Sequence, residues 1–120
     1  MSERNESSAV SPSQEYQLER RSKLRVQGPI PARVRGVDDN GKPFYIVASL
    51  DDLSAGGLHM LLERRVENAA RLFFIIRIPA RPGADAPGMI VAARGVARRV
   101  EPRRNGSCAV GVEFRRYRQL

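Results

Sequence analysis

Two short segments of the chain carry charged, hydroxyl and glycine residues whose types and spacing suit a binding site. The first is Arg20-Arg21-Ser22-Lys23-Leu24-Arg25, and the second is Asp52-Leu53-Ser54-Ala55-Gly56-Gly57. A carboxylate can accept both donors of guanine's Watson–Crick edge, N1–H and N2–H, while arginine forks suit O6, N7 and phosphate oxygens. Glycines let the backbone approach a ligand closely, and a serine hydroxyl adds a short polar contact. The two segments therefore indicate a site for a guanine nucleotide.

The order of these residues resembles that of a known family. Arg21 and Arg25 fit the pattern R-x-x-x-R, and the later segment fits D-x-S-x-x-G through Asp52, Ser54 and Gly57. A strand-like segment and a turn lie between them. The whole resembles the PilZ family of bacterial receptors for cyclic di-GMP, over residues 20–114. The resemblance implies a six-stranded antiparallel barrel, often followed by a C-terminal helix.

The resemblance also implies roles for individual residues. Arg21 and Arg25 would bind phosphate oxygens and the Hoogsteen edge of guanine, and Asp52 would accept from its Watson–Crick edge. Asp51 competes for that last role, but only Asp52 has Ser and Gly at the matching offsets. The predicted ligand-binding residues are Arg20, Arg21, Arg25, Asp52, Ser54, Gly56 and Gly57, with Arg99 as a further candidate if strands five and three share a barrel face.

Two of these residues have alternative roles that the sequence leaves open. The Ser54 hydroxyl can bond the base or its own turn backbone. Gly57 can be required by a positive φ or by close approach of the ligand.

Arg20 adds a third guanidinium to the two that the motif needs. Because extra cations favour a larger anion, we predict that two cyclic di-GMP molecules bind per chain.

Charge is distributed unevenly along the 120 residues. The net charge is +8, yet residues 1–19 hold one Arg and four Glu, a net charge of −3, so the remainder carries +11. The polar composition of residues 1–19 predicts a disordered tail, with the PilZ-like domain spanning residues 20–120. The absence of a long apolar run and the lone Cys108 predict a cytoplasmic protein with no membrane insertion.

Period-two alternation predicts six strands, because apolar residues recur at every second position. Gln27-Gly28-Pro29 is expected to break the chain before the first strand, and the turns are expected at 38–41 and 103–106. Gly95 is expected to mark a bend or bulge in the fifth strand. The chain end, Arg115 to Leu120, is predicted to form one helical turn. The fold class is therefore all-β, a closed or nearly closed antiparallel barrel.

No catalytic constellation is apparent, so we predict a receptor that performs no chemistry and needs no cofactor. His59 has no partner at metal-ligand spacing and is interpreted as a surface or pocket-rim residue. Cys108 is in phase with buried positions and is interpreted as a small core residue. The expected mechanism is ordering of the arginine segment by cyclic di-GMP, which reshapes a surface for a downstream protein.

Two alternatives stay open. Some PilZ-like domains bind no nucleotide and act as protein-interaction modules. A small basic barrel can also bind single-stranded RNA or DNA, but that function needs exposed aromatic side chains on which bases stack. Phe44, Phe74 and Phe114 fall on inward phases of the strands. This phase makes nucleic acid the weaker alternative.

Overall fold

The computed structural model describes residues 25–81 and 86–120. The predicted disordered tail, Arg20 and Arg21 lie outside these ranges. The described residues form six strands and contain no helix. The strands are β1 (Val26–Val37), β2 (Pro43–Leu53), β3 (Gly57–Leu62), β4 (Arg71–Pro79), β5 (Pro87–Pro102) and β6 (Cys108–Gln119).

The strands close into an antiparallel barrel with the order β1-β2-β3-β6-β5-β4. This topology confirms the predicted fold class. The barrel interior holds alternate residues of each strand, because successive side chains of a strand point to opposite faces. The largest fully buried side chains include Phe74, Ile30, Leu50, Leu53, Leu58, Met60 and Leu62. Each of the six described strands pairs with two neighbours, so the barrel has no edge strand.

Turn chemistry follows the sequence at both predicted hairpin turns. Asp38 accepts backbone hydrogen bonds from Asn40 and Lys42 through its side chain, each at 2.9 Å. Gly41 and Gly106 have φ values of 80° and 82°, in the left-handed region that favours glycine. These residues reverse the chain where the sequence predicted.

The start of β1 differs from the prediction. The strand includes Gln27-Gly28-Pro29 instead of beginning after it. The register with β2 shifts between Gln27 and Ile30, and this irregularity accommodates the proline. A Cβ at Gly28 would lie 2.1 Å from the carbonyl oxygen of Leu50, so the absence of a side chain permits this close approach. The early start of β1 brings Arg25 beside the end of β2.

The predicted C-terminal helical turn is wrong, because β6 continues as a strand to Gln119. Its partner β5 is 16 residues long and offers pairing positions along this whole segment, including Ala93 opposite Tyr117. Tyr117 also packs on the core and lies 5.9 Å from the Phe114 ring, centroid to centroid. Pairing and packing together outweigh the local tendency to form a turn of helix.

Other predictions of side-chain placement are confirmed. Cys108 is a free, fully buried thiol whose Sγ lies 3.1 Å from the carbonyl oxygen of Arg64. Phe44 and Phe74 are buried, and Phe114 is partly buried against the core. Within residues 25–81 and 86–120, no helix has the length and apolarity required to cross a bilayer.

Candidate ligand-binding site

A groove of about 290 Å³ opens on the barrel surface where the β2–β3 turn meets β5 and β6. Five of the residues predicted from sequence line it. They are Arg25, Ser54, Gly56, Gly57 and Arg99. The structure therefore brings the last residue of the arginine segment and the glycine-containing turn to one surface site, although some 30 positions separate them in the sequence.

Asp52 lies next to this groove and contacts two of its lining residues. Its Oδ1 is 3.2 Å from Nη1 of Arg25 and 3.2 Å from Nδ1 of His59. The carboxylate is 22% exposed, whereas the other two side chains are each 51% exposed. Arg25 has a φ of 51°, and this left-handed conformation turns the chain just before β1. Asp52 thus holds both a cation and an imidazole at the edge of the groove.

The β2–β3 turn is closed by its own residues. The Ser54 amide donates to the carbonyl oxygen of Gly57 at 2.9 Å, and the Ser54 hydroxyl donates to the same oxygen at 3.4 Å. The hydroxyl therefore takes the turn-closing role in this structure. A Cβ at Gly56 would have the Ser54 hydroxyl at 3.9 Å as its nearest neighbour, so space is open there.

Gly57 is required by the packing of the strands. A Cβ at this position would lie 1.9 Å from the carbonyl oxygen of Val112 on β6. Its φ is not in the positive range, so of the two roles considered from sequence the conformational one does not apply. Gly57 lets β3 approach β6 closely at the floor of the groove.

Arg98 and Arg99 reach the groove because of a β-bulge. Ala97 pairs with Val112 and Arg99 pairs with Gly111, which leaves Arg98 as an extra residue on β5. A bulge interrupts the alternation of faces, so both arginines are exposed on the outer surface. The bulge thereby places two adjacent guanidinium groups at one site.

Gly111 forms the low point between His59 and Arg99. It pairs with His59 on one side and with Arg99 on the other. A Cβ at Gly111 would lie 3.3 Å from the imidazole Nε2 of His59 and 3.5 Å from Cβ of Arg99. The missing side chain leaves a passage between the imidazole and the arginine, and strands three and five contribute to the same face through β6.

One acidic residue balances part of this positive charge. Glu113 lines the groove and accepts a hydrogen bond at 2.7 Å from Nε of Arg98. This hydrogen bond holds the pKa of Glu113 below its usual value, and the charges of Arg98 and Arg115 lower it further. The groove lining thus contains three arginines and one glutamate. Its net charge favours an anionic ligand.

Besides the apolar Leu58 and Val112, four lining residues were absent from the predicted ligand-binding set: His59, Arg98, Gly111 and Glu113. His59 was interpreted from sequence as a surface or pocket-rim residue, because it alternates against Leu58 and Met60, and it lies on the groove lining. The other three become neighbours only through the bulge and the β3–β6 pairing.

The part of the chain that the structure describes holds no group of three or more His, Cys, Asp or Glu arranged for a metal ion.

Comparisons with known proteins support the fold. No protein-family model matches the sequence, and no curated protein matches it. The inhibitor of motility from Bacillus subtilis (MotI/DgrA) is similar in structure, with a TM-score of 0.56 and 17% identity over 77% of this chain and 41% of that chain. An F420 reductase is similar with a TM-score of 0.52 and 13% identity over 90% of this chain and 98% of that chain.

The chain spans less than half the length of the motility inhibitor that it matches. At these identities the similarity shows the fold alone. The closed six-stranded barrel and the likeness to the motility inhibitor fit a PilZ-like fold, as the sequence resemblance implies.

Proposed function

We propose that the chain is a cyclic di-GMP receptor whose ligand binds in the groove between the arginine segment and the β2–β3 turn. The observation that carries the proposal is the contact between Arg25 and Asp52, at 3.2 Å. These residues belong to the two motif segments from which the nucleotide site was predicted, and they meet beside a groove lined mainly by cations and glycines. A bis-phosphate ligand matches that charge.

The proposed exchange of partners starts at Asp52. Its carboxylate is paired with Arg25, and guanine N1–H and N2–H would replace the guanidinium as donors. Arg25 would then turn toward a phosphate, where a planar guanidinium donates two parallel hydrogen bonds. Arg99 lines the same groove from β5 and would contact the same anion. The Gly56 side of the turn leaves space for a base.

Ligand binding would order the arginine segment. Arg20 and Arg21 lie outside the described residues, and Arg25 is their connection to the barrel. Arginine–phosphate contacts made only in the bound state give the ligand its higher affinity for that state. An ordered segment presents a new surface beside β1, which a downstream protein would recognise. In this proposal the chain binds cyclic di-GMP and transmits the level of this ligand to a downstream protein, and it catalyses no reaction.

Isothermal titration calorimetry tests the proposal. The full chain is titrated with cyclic di-GMP, GTP, a short oligonucleotide and oxidised F420, each at two salt concentrations. F420 is included because a reductase of that cofactor has a similar fold. We expect cyclic di-GMP to bind at least about tenfold more tightly than the other three. Failure of cyclic di-GMP to bind would favour the nucleotide-free interaction module, and preferential binding of F420 would indicate a different ligand class.

A further inference from the structure

A second basic surface lies on the outside of the barrel, away from the groove. Two adjacent rows of outward-facing side chains cross five of the six strands, in the order β2-β1-β4-β5-β6. The first row is Tyr45, Arg35, Phe73, Arg94 and Arg116, and the second is Val47, Arg33, Ile75, Ala92 and Arg118. We call these ten residues the arginine belt.

The belt contains five arginines and no carboxylate. Within residues 25–81 and 86–120, no ion pair involves any of these arginines. Along β5, Arg94 is five residues from Arg99 of the groove, a separation of roughly 17 Å at the usual rise of a strand. The belt is therefore a separate concentration of unpaired positive charge.

Exposed apolar side chains accompany these arginines. Val47 is 73% exposed and Tyr45 is 61% exposed, while Phe73 and Ile75 are partly exposed beside them. Exposed apolar side chains grouped together mark interaction surfaces. The buried centres of protein interfaces are enriched in aromatic residues and arginine and depleted in Lys, Asp and Glu, which is the composition of the belt.

Phe73 fixes the position of two of the guanidinium groups. The guanidinium carbon of Arg35 lies 4.7 Å from the centre of the Phe73 ring, and that of Arg94 lies 5.9 Å from it. Arg35 and Arg94 lie on β1 and β5, the two strands that flank Phe73 on β4, so the ring is contacted by an arginine from each neighbouring strand. Such stacking restrains the guanidinium planes and leaves their N–H groups free to meet carboxylates in a bidentate manner.

We infer that the arginine belt is a docking surface for an acidic protein segment in which carboxylates flank apolar side chains. The carboxylates match the five unpaired arginines, and the apolar side chains match Val47, Tyr45 and Ile75. Single-stranded nucleic acid fits this surface less well, because bases stack on open aromatic rings. The Phe73 ring is occupied by arginines, and Val47 and Ile75 have no aromatic face, so Tyr45 is the one open ring among the ten belt residues.

Fluorescence anisotropy with the full chain tests the inference, using three labelled probes of equal charge. They are a peptide in which glutamates flank leucine and phenylalanine, a glutamate-only peptide and a thymidine oligonucleotide. We expect the mixed peptide to bind at least about tenfold more tightly than the other two at physiological salt. The double variant Arg35→Glu/Arg94→Glu should lower its affinity at least about tenfold, as should Arg116→Glu/Arg118→Glu on another strand.

One single variant provides the control, and a second tests the apolar part of the belt. Arg104→Glu makes the same type of charge change in the β5–β6 turn, outside the belt, and should leave the affinity within about twofold. Val47→Ser should weaken only the mixed peptide. Thermal melting of each variant checks that the barrel still folds. Equal or tighter binding of the oligonucleotide, an equal loss in Arg104→Glu, or no binding of the mixed peptide would each overturn the inference. Because no belt residue lines the groove, a failure of peptide binding can be distinguished from a failure of cyclic di-GMP binding.

Discussion

The guanidinium Nη1 of Arg25 lies 3.2 Å from the carboxylate Oδ1 of Asp52, and it joins the residue before β1 to the end of β2. Arg25 is 51% exposed, so water screens this ion pair. Ion pairs at such surface positions contribute about 0–1 kcal/mol. A ligand that offers Arg25 a phosphate and Asp52 two N–H donors can therefore replace the contact at small cost.

This relationship predicts different effects at two neighbouring aspartates. Asp52→Ala should lower the affinity for cyclic di-GMP at least about tenfold, because losing a charged hydrogen-bond partner costs about 1.5–3 kcal/mol. Asp51→Ala is the matched control, since Asp51 is exposed and lines a different pocket with Leu61 and Arg104. Calorimetric titration measures both. Equal losses in the two variants would reject Asp52 as the guanine acceptor.

A second prediction concerns the arginine segment. If cyclic di-GMP orders it, amide hydrogens from Arg20 to Val26 should exchange more slowly at saturating ligand, because contacts to phosphate restrict local opening. Hydrogen–deuterium exchange with mass spectrometry measures this protection. The β4 segment from Leu72 to Ile78, whose alternate side chains are buried, is the internal reference and should change little. Unchanged exchange across residues 20–26 would exclude ordering as the mechanism.

A third prediction concerns the number of ligands. Arg20 supplies a cation beyond the two of the motif, and two cyclic di-GMP molecules carry twice the phosphate charge of one. We expect calorimetry to give two ligands per chain for the parent. Arg20→Ala should lower that number or weaken the second ligand selectively, whereas Arg21→Ala or Arg25→Ala should abolish binding. A single ligand in the parent, with Arg20→Ala binding identically, would show that Arg20 makes no contact.

The sequence predicted the barrel because alternation is a local property that its strands follow closely. Ile30, Val34 and Phe74 fall on inward phases, and each is fully buried. The turns at 38–41 and 103–106 were equally predictable, because each ends on a glycine, and Gly41 and Gly106 adopt the positive φ values that favour this residue. The proximity of the two motif segments follows from antiparallel pairing of β1 with β2, which puts Gln27 opposite Asp52.

The remaining features depend on pairing between distant strands. A register shift occurs at Gly95, as predicted, but the extra residue is Arg115 on β6. The second bulge, at Arg98, has no glycine or proline on β5 to signal it, so Arg98 was not predicted at the site, whereas Arg99 was a candidate. The failed helical turn has the same origin, because the length of β5 decides whether residues after Arg115 find partners. Local sequence carries little information about such long-range pairing.

A fourth prediction uses the acidic residue of the groove. Glu113→Gln should bind cyclic di-GMP about two- to fivefold more tightly, because Arg98 loses an exposed, solvent-screened ion pair and becomes available to a phosphate. Calorimetry at constant salt measures the change. Glu101→Gln removes the same charge from β5 outside the groove and should change affinity less. Equal gains in both variants would indicate only a general effect of net charge.

The lowered pKa of Glu113 also fixes the sign of a pH effect on stability. Its folded-state pKa lies below the usual value, so its contribution to stability is fully present above that usual value. The contribution is lost as the pH falls through the lowered pKa and the carboxylate takes up a proton. Affinity measurements at neutral pH therefore compare the intact Arg98–Glu113 pair with its absence in Glu113→Gln.

The last prediction separates the two adjacent glycines of the β2–β3 turn. A methyl group at Gly57 would lie 1.9 Å from the carbonyl oxygen of Val112, so β3 and β6 would have to separate. Gly57→Ala should therefore destabilise the barrel by about 1–3 kcal/mol, measured by urea unfolding. Gly56→Ala has open space and should change stability by less than about 0.5 kcal/mol. If Gly57→Ala leaves the barrel as stable as the parent, Gly57 does not set the approach of the two strands. Weaker cyclic di-GMP binding by Gly56→Ala would indicate that the ligand uses the open space at Gly56.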